Sequence, residues 1–132
     1  MIVSTRQIRV AILDDDPSIR AALLRLLTAP GMVAQAFTTS DELFDSVAQK
    51  SPDCLVLDLQ MPRMSGLDVM KYFNQRHIRI PTIVITGHDE KHSRGACMNA
   101  GAVAYLLKPL DAELLVETIE NICGPQHEAF PS

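Results

Sequence analysis

The sequence predicts an α/β protein built from five consecutive βα units, (βα)5, forming a doubly wound parallel five-stranded sheet. Three observations predict it. Five short apolar runs, Ile8–Leu13, Met32–Phe37, Cys54–Leu59, Ile80–Thr86 and Val103–Leu107, recur at intervals of roughly 22–28 residues. The third and fourth, CLVLDL and IPTIVIT, are almost continuously aliphatic or β-branched, as strands covered by helices on both faces are. Segments of helical periodicity separate the runs, so each strand feeds a right-handed crossover to the next.

The elements follow in order. After the first run, Pro17 suits a first helical turn, and Ile19, Ala22, Leu23, Leu26 and Leu27 form one apolar stripe. MVAQAF alternates more than the other runs and suits a sheet edge. Thr39-Ser-Asp-Glu42 reads as a capping box ahead of a second stripe, Leu43, Phe44, Val47 and Ala48. Leu67, Met70 and Phe73 follow the third run. The fourth helix, about Asp89 to Ala100, offers mainly Ala96, Cys97 and Ala100 to the core. Small side chains bury little area, so this helix is expected to be weakly anchored. Leu114, Leu115, Ile119 and Ile122 mark the fifth helix, which Asp111 caps and Gly124-Pro125 stops.

Composition narrows the function. At 132 residues the chain makes one domain, and no apolar stretch approaches the roughly 20 residues of a membrane span. Twelve basic against sixteen acidic residues give a net charge of −4, without the basic footprint of a nucleic-acid or anionic-membrane binder. Neither partner is expected of this chain itself. Cys54, Cys97 and Cys123 lack metal or redox spacing and read as core residues of a reducing compartment. With no signal-peptide pattern, the expected location is the cytoplasm.

Ligands of an open parallel sheet bind beyond the carboxyl ends of the strands, at the switch point of strand order. Asp14-Asp15-Asp16 follow the first strand, Asp58 lies near the end of the third, Thr86 ends the fourth, and Lys108-Pro109 follow the fifth. Each alone reads as a solvated turn or a helix cap. Their coincidence on one sheet edge is what those readings leave unexplained. In strand order 2-1-3-4-5 the first and third strands are neighbours and the carboxylates converge. Two carboxylates about 5 Å apart repel by roughly 3 kcal/mol at an effective dielectric near 20. Either one pKa rises or a cation sits between them. An oxygen-only site suits Mg2+ with phosphate oxygens as further ligands, and Lys108 and Thr86 then face the same anion. Such a cleft is equipped for phosphoryl transfer.

ILDDDPSIR, LVLDLQMPRMSG, IVITGH and AYLLKP together resemble the receiver (phosphoacceptor) domain of two-component response regulators, from about Arg9 to Ile122. VITGH and AGAVAYLLKP are most similar to the FixJ-like branch, whose members often carry a DNA-binding output. The resemblance implies a flavodoxin-like receiver domain over residues 1–124, with 125–132 a polar tail or linker stub. It implies that Asp58 is the phosphoacceptor, that Asp15 is the main Mg2+ ligand, and that Asp14 holds the metal directly or through water. The backbone carbonyl of Gln60 would complete the metal site. By the same resemblance Thr86 and Lys108 bind the phosphoryl group, Gly87 leaves room beside Thr86, and Tyr105 is the switch aromatic. The Lys108-Pro109 bond is expected to be cis. Gln60 and His88 occupy the positions that shape water access, and Asp16 matches a variable position without a firm role.

The implied donor is a phosphohistidine on a sensor histidine kinase or a histidine phosphotransfer protein. The domain is then no enzyme, but a signalling module that assists its own phosphorylation and dephosphorylation and controls an output domain or partner. Homodimerisation through the fourth and fifth helices is implied as well. A haloacid-dehalogenase-like phosphatase would use Asp14-Asp15-Asp16, but the chain lacks its later acidic pair and Asp58 would have no task. In a flavin binder the three aspartates would repel the flavin phosphate. A degenerate receiver would lack an acceptor-set residue, and none is missing. His88 and His92, four apart without a third ligand, read as a wet helix surface. Met61, Met64 and Met70 read as packing, and Arg20, Arg25 and Arg63 as solvated or, near the cleft, kinase-facing.

Overall fold

Strand and helix alternate without exception along residues 7–123, the part that this computed structural model describes. The strands are β1 (Arg9–Leu13), β2 (Val33–Phe37), β3 (Cys54–Asp58), β4 (Thr82–Thr86) and β5 (Ala102–Leu107). The helices are α1 (Pro17–Thr28), α2 (Ser40–Gln49), α3 (Gly66–Gln75), α4 (Ser93–Asn99) and α5 (Ala112–Cys123). All pairings are parallel, in the expected order β2-β1-β3-β4-β5. Leu13 pairs with Leu57, so the ends of β1 and β3 sit side by side.

The pleat sorts the core into two layers. Val10, Ile12, Cys54, Val56, Ile83 and Ile85 face α1 and α5, where Leu23, Leu27, Leu115 and Ile119 meet them. Ala11, Leu13, Leu55, Leu57 and Val84 face the other side, against Leu43, Val47, Val69, Met70, Phe73 and Cys97 of α2, α3 and α4. β3 and β4 are buried along their whole length, as their aliphatic runs require. β2 alternates between exposed and covered positions at the edge.

Capping fixes where helices begin. Thr39 and Glu42 form the expected reciprocal box on α2, and Asp111 accepts from the Leu114 N–H at 3.1 Å ahead of α5. Ser65 and Asp68 form a second box on α3 that the sequence reading did not single out. The Gly124-Pro125 stop and the polar tail lie outside the described residues.

Several boundaries differ from expectation. β4 starts at Thr82, because Pro81 has no N–H for the ladder, and Ile80 precedes the strand. A bulge opposite Thr82 and Ile83 skips Val103, which turns outward at 47% exposure, and β5 therefore begins at Ala102. α4 spans seven residues rather than the twelve of Asp89 to Ala100, because His92 at φ 76° is left-handed and cannot propagate a helix. Its one fully buried side chain is Cys97, with Ala96 and Ala100 partly covered. Ala22, Ala48 and Leu114 flank their stripes and are exposed. No helix among the described residues is long and apolar enough to cross a membrane.

Candidate functional site

Four strand ends deliver the polar side chains. β1 runs into Asp14, which is fully buried, then into the exposed Asp15 and Asp16. The chain turns because the Asp16 N–H donates to Asp14 Oδ1 at 2.9 Å. Asp16 then caps α1, its Oδ1 accepting from the Ser18 N–H at 2.8 Å beside Pro17. Arg20, in the first turns of α1, reaches back and donates from Nη1 to the Asp14 carbonyl at 2.8 Å.

β3 ends on Asp58, only 4% exposed, whose Oδ1 accepts from the Gln60 N–H at 3.3 Å. α3 approaches this strand end closely through Gly66. A Cβ there would stand 2.7 Å from the Asp58 carbonyl oxygen, and the Gly66 N–H donates to the Leu59 carbonyl at 2.8 Å. β4 ends on the buried Thr86, whose hydroxyl donates to the His88 carbonyl and accepts from the His88 N–H, both at 3.1 Å. β5 leads to Lys108, whose N–H donates to the Thr86 carbonyl at 2.8 Å and whose bond to Pro109 is cis.

These ends meet. Carboxylate oxygens of Asp14, Asp15 and Asp58 lie within 4.8 Å of one another. Lys108 Nζ is 3.0 Å from Asp14 Oδ2 and 3.5 Å from Asp58 Oδ1. Burial, and then the Asp14 charge, push the Asp58 carboxyl up to about 6, against the opposing pull of Lys108 and the Gln60 N–H. Burial alone would lower the Lys108 ammonium, but its bond to Asp14 and the charge of Asp58 outweigh that and raise it. One lysine does not neutralise three carboxylates. Hard oxygen donors with one exposed side, at Asp15, fit a divalent cation that keeps part of its water shell, and the cluster contains no sulfur or imidazole.

Asp14, Asp15, Asp58 and Lys108 thus converge as expected, with Thr86 tied in through the Lys108 backbone. Tyr105 engages a different acid, one outside the cluster. It is buried, and its hydroxyl donates to Asp89 Oδ1 at 3.2 Å. The Arg94 guanidinium stands 4.9 Å from its ring centroid. Burial and Asp89 raise the phenol above its usual range.

The structure corrects two sequence readings and adds two residues. Arg20 is not merely solvated but bonded to the acidic loop. His88 and His92 precede α4 in the β4–α4 connection, so their four-residue spacing shares no helix face. Asp16 proves to be a cap, which the Asp-Pro pair at a strand–helix junction signals. Asp89 was expected only as the start of the fourth helix, because its contact with Tyr105 spans 16 residues and leaves no local pattern. Met70 is core and Met61 and Met64 pack against it, as expected.

The response regulator receiver domain family matches residues 10–120. The chain is 38% identical over 117 residues to the DNA-binding transcriptional regulator NtrC of Klebsiella pneumoniae, covering 89% of this chain and 25% of that protein. It is 34% identical over 117 residues to the response regulator protein TodT of Pseudomonas putida, covering 89% and 52%. Among solved structures, FixJ-N superposes with a TM-score of 0.83 at 30% identity, covering 97% of this chain and 99% of that one. The chain thus spans about a quarter to a half of the length of these curated relatives.

Proposed function

The chain belongs to the response regulator receiver domain family, and from that membership we propose that it accepts a phosphoryl group on Asp58 in a Mg2+-dependent reaction and switches conformation in response. As a receiver it is a two-component signalling domain. The observation that supports this reading is the convergence of three carboxylates and one lysine at the ends of β1, β3 and β5.

Asp14, Asp15, Asp58 and the Gln60 carbonyl are the proposed ligands of Mg2+. When bound, the metal supplies charge neutralisation and orients the phosphoryl oxygens. An Asp58 carboxylate oxygen attacks phosphorus and forms the new O–P bond. The P–N bond to the donor imidazole breaks, and its electron pair stays on the ring nitrogen. In this reading Lys108, which lies 3.5 Å from Asp58, pairs with the incoming group and leaves Asp14 to do so. The Thr86 hydroxyl, now engaged with the His88 backbone, turns to a phosphoryl oxygen, and Tyr105 responds as the switch aromatic.

The proposed donor is a sensor histidine kinase or a histidine phosphotransfer protein, and the proposed compartment is the cytoplasm. The chain itself binds no nucleic acid in this reading. It is no enzyme with a separate substrate, though it assists its own phosphorylation and dephosphorylation. Met98, Val103, Leu107 and Leu114 are exposed on α4, β5 and α5, which favours a homodimer through that face.

Incubation with acetyl phosphate and Mg2+ tests the reading. Intact mass should rise by one phosphoryl group and Asp58→Asn should abolish the gain. Undiminished labelling of that variant, or steady turnover of a phosphomonoester, would overturn it in favour of a phosphatase.

A further inference from the structure

Asp14 is held at three points. Its Oδ1 accepts from the Asp16 N–H, its Oδ2 pairs with Lys108, and its backbone carbonyl accepts from Arg20 Nη1 at 2.8 Å. The first two fix the Asp14 carboxylate. The third fixes the backbone from which Asp15 also hangs. Among the described residues no hydrogen bond or ion pair holds the Asp15 carboxylate, so its place beside Asp14 and Asp58 follows from the backbone alone.

Arg20 could have served this acidic loop simply as a counter-charge. Among the described residues, however, no carboxylate lies within 4.0 Å of its guanidinium, although three aspartates stand four to six positions before it. Among the described residues the one hydrogen bond of the guanidinium is to a carbonyl, a charge-assisted bond and so among the stronger kind. We infer that Arg20 is a positioning residue, which by gripping the Asp14 carbonyl presents Asp14 and Asp15 in the geometry that a divalent cation needs. The inference rests on the receiver reading of the cluster.

Charge and positioning predict opposite signs. Removing a cation beside an acidic site should tighten a metal, whereas releasing the loop should weaken it. Arg20→Gln removes charge and grip, and Arg20→Lys keeps the charge but loses the planar fork. Mg2+ binding to the whole chain is measured by titration calorimetry, with urea unfolding of the metal-free protein alongside. Both variants should bind Mg2+ about 10-fold more weakly than wild type, the loss typical of a partner that orients a metal ligand. Unchanged affinity with lowered stability would make Arg20 a plain helix brace and overturn the inference. Tighter binding by Arg20→Gln with unchanged Arg20→Lys would make it a counter-charge and overturn it too. If Arg20→Gln fails to fold, Arg20→Lys decides. A wild-type chain that binds no Mg2+ overturns the metal assignment itself, and this inference with it.

Discussion

Lys108 Nζ stands between two acids, 3.0 Å from Asp14 Oδ2 and 3.5 Å from Asp58 Oδ1. Those acids end two adjacent strands and the lysine comes from the far edge of the sheet, so one cation ties β1, β3 and β5 together. Lys108→Met should leave the acids without their counter-charge. We predict a loss of about 1–3 kcal/mol in metal-free stability, the scale of a bond to a charged group. Acetyl phosphate labelling should fall at least about 100-fold, as when a single preorganised charge contact is removed. Urea titration and intact-mass kinetics read the two effects. A stable variant labelled at the wild-type rate would remove Lys108 from the site.

Asp58 couples stability to pH. Its folded-state value, about 6, lies above the ordinary 3.8, so the folded state holds its proton more tightly than the unfolded chain does. The cost of ionising it is absent below pH 3.8, grows through the interval, and is complete above pH 6. That interval corresponds to roughly 3 kcal/mol. Asp58→Asn should therefore stabilise the metal-free protein at pH 7 by up to about that amount, and the advantage should vanish near pH 3.5. Urea midpoints across pH give the curve. A constant difference would show that Asp58 does not titrate in this way.

Gly66 leaves no space for a side chain. Its missing Cβ would meet the Asp58 carbonyl oxygen at 2.7 Å and Leu59 Cα at 3.0 Å, both on backbone that cannot yield cheaply. Gly66→Ala should destabilise the fold by about 1–3 kcal/mol, as overpacking does, and slow labelling of Asp58 by shifting the end of β3. A melting temperature within a degree of wild type would contradict the close approach.

Hydrogen exchange should separate α4 from α1. α4 has seven residues, one fully buried side chain and no side-chain cap, whereas α1 has twelve residues, two buried leucines and the Asp16 cap. Amides of Ala96 to Asn99 should exchange at least about tenfold faster than those of Leu23 to Leu27, since weakly anchored elements open first. Equal protection would mean that α4 is held by something other than its buried area.

Both layers were legible because apolar runs and stripes report directly on burial, whereas the strand order followed from the doubly wound fold class rather than from any run. The acid cluster was legible because strand ends in this topology share one edge. What the sequence concealed were contacts made by reach rather than by pattern. Arg20 looks like any solvent-facing arginine until its guanidinium is followed back to the Asp14 carbonyl. The short α4 was hidden for a related reason. Alanine, cysteine and lysine all favour or tolerate a helix from Asp89 onward, but His92 takes a left-handed conformation that composition does not announce.

The division of the core by the sheet has a mechanical consequence. Tyr105, Cys97 and the short α4 all lie on the side of α2 and α3, while the Leu-rich α1 and α5 close the opposite side. Every other helix buries two or more residues, so α4 alone is loosely seated, and it lies across the sheet from α1 and α5. Asp14 and Asp58 stand at the seam, at the ends of β1 and β3. If Asp58 is phosphorylated as proposed, the added charge should be felt first at α4, the loosely seated helix. Substitutions of the buried leucines of α1 should then alter stability, and substitutions in α4 or at Tyr105 should alter the response to phosphorylation instead.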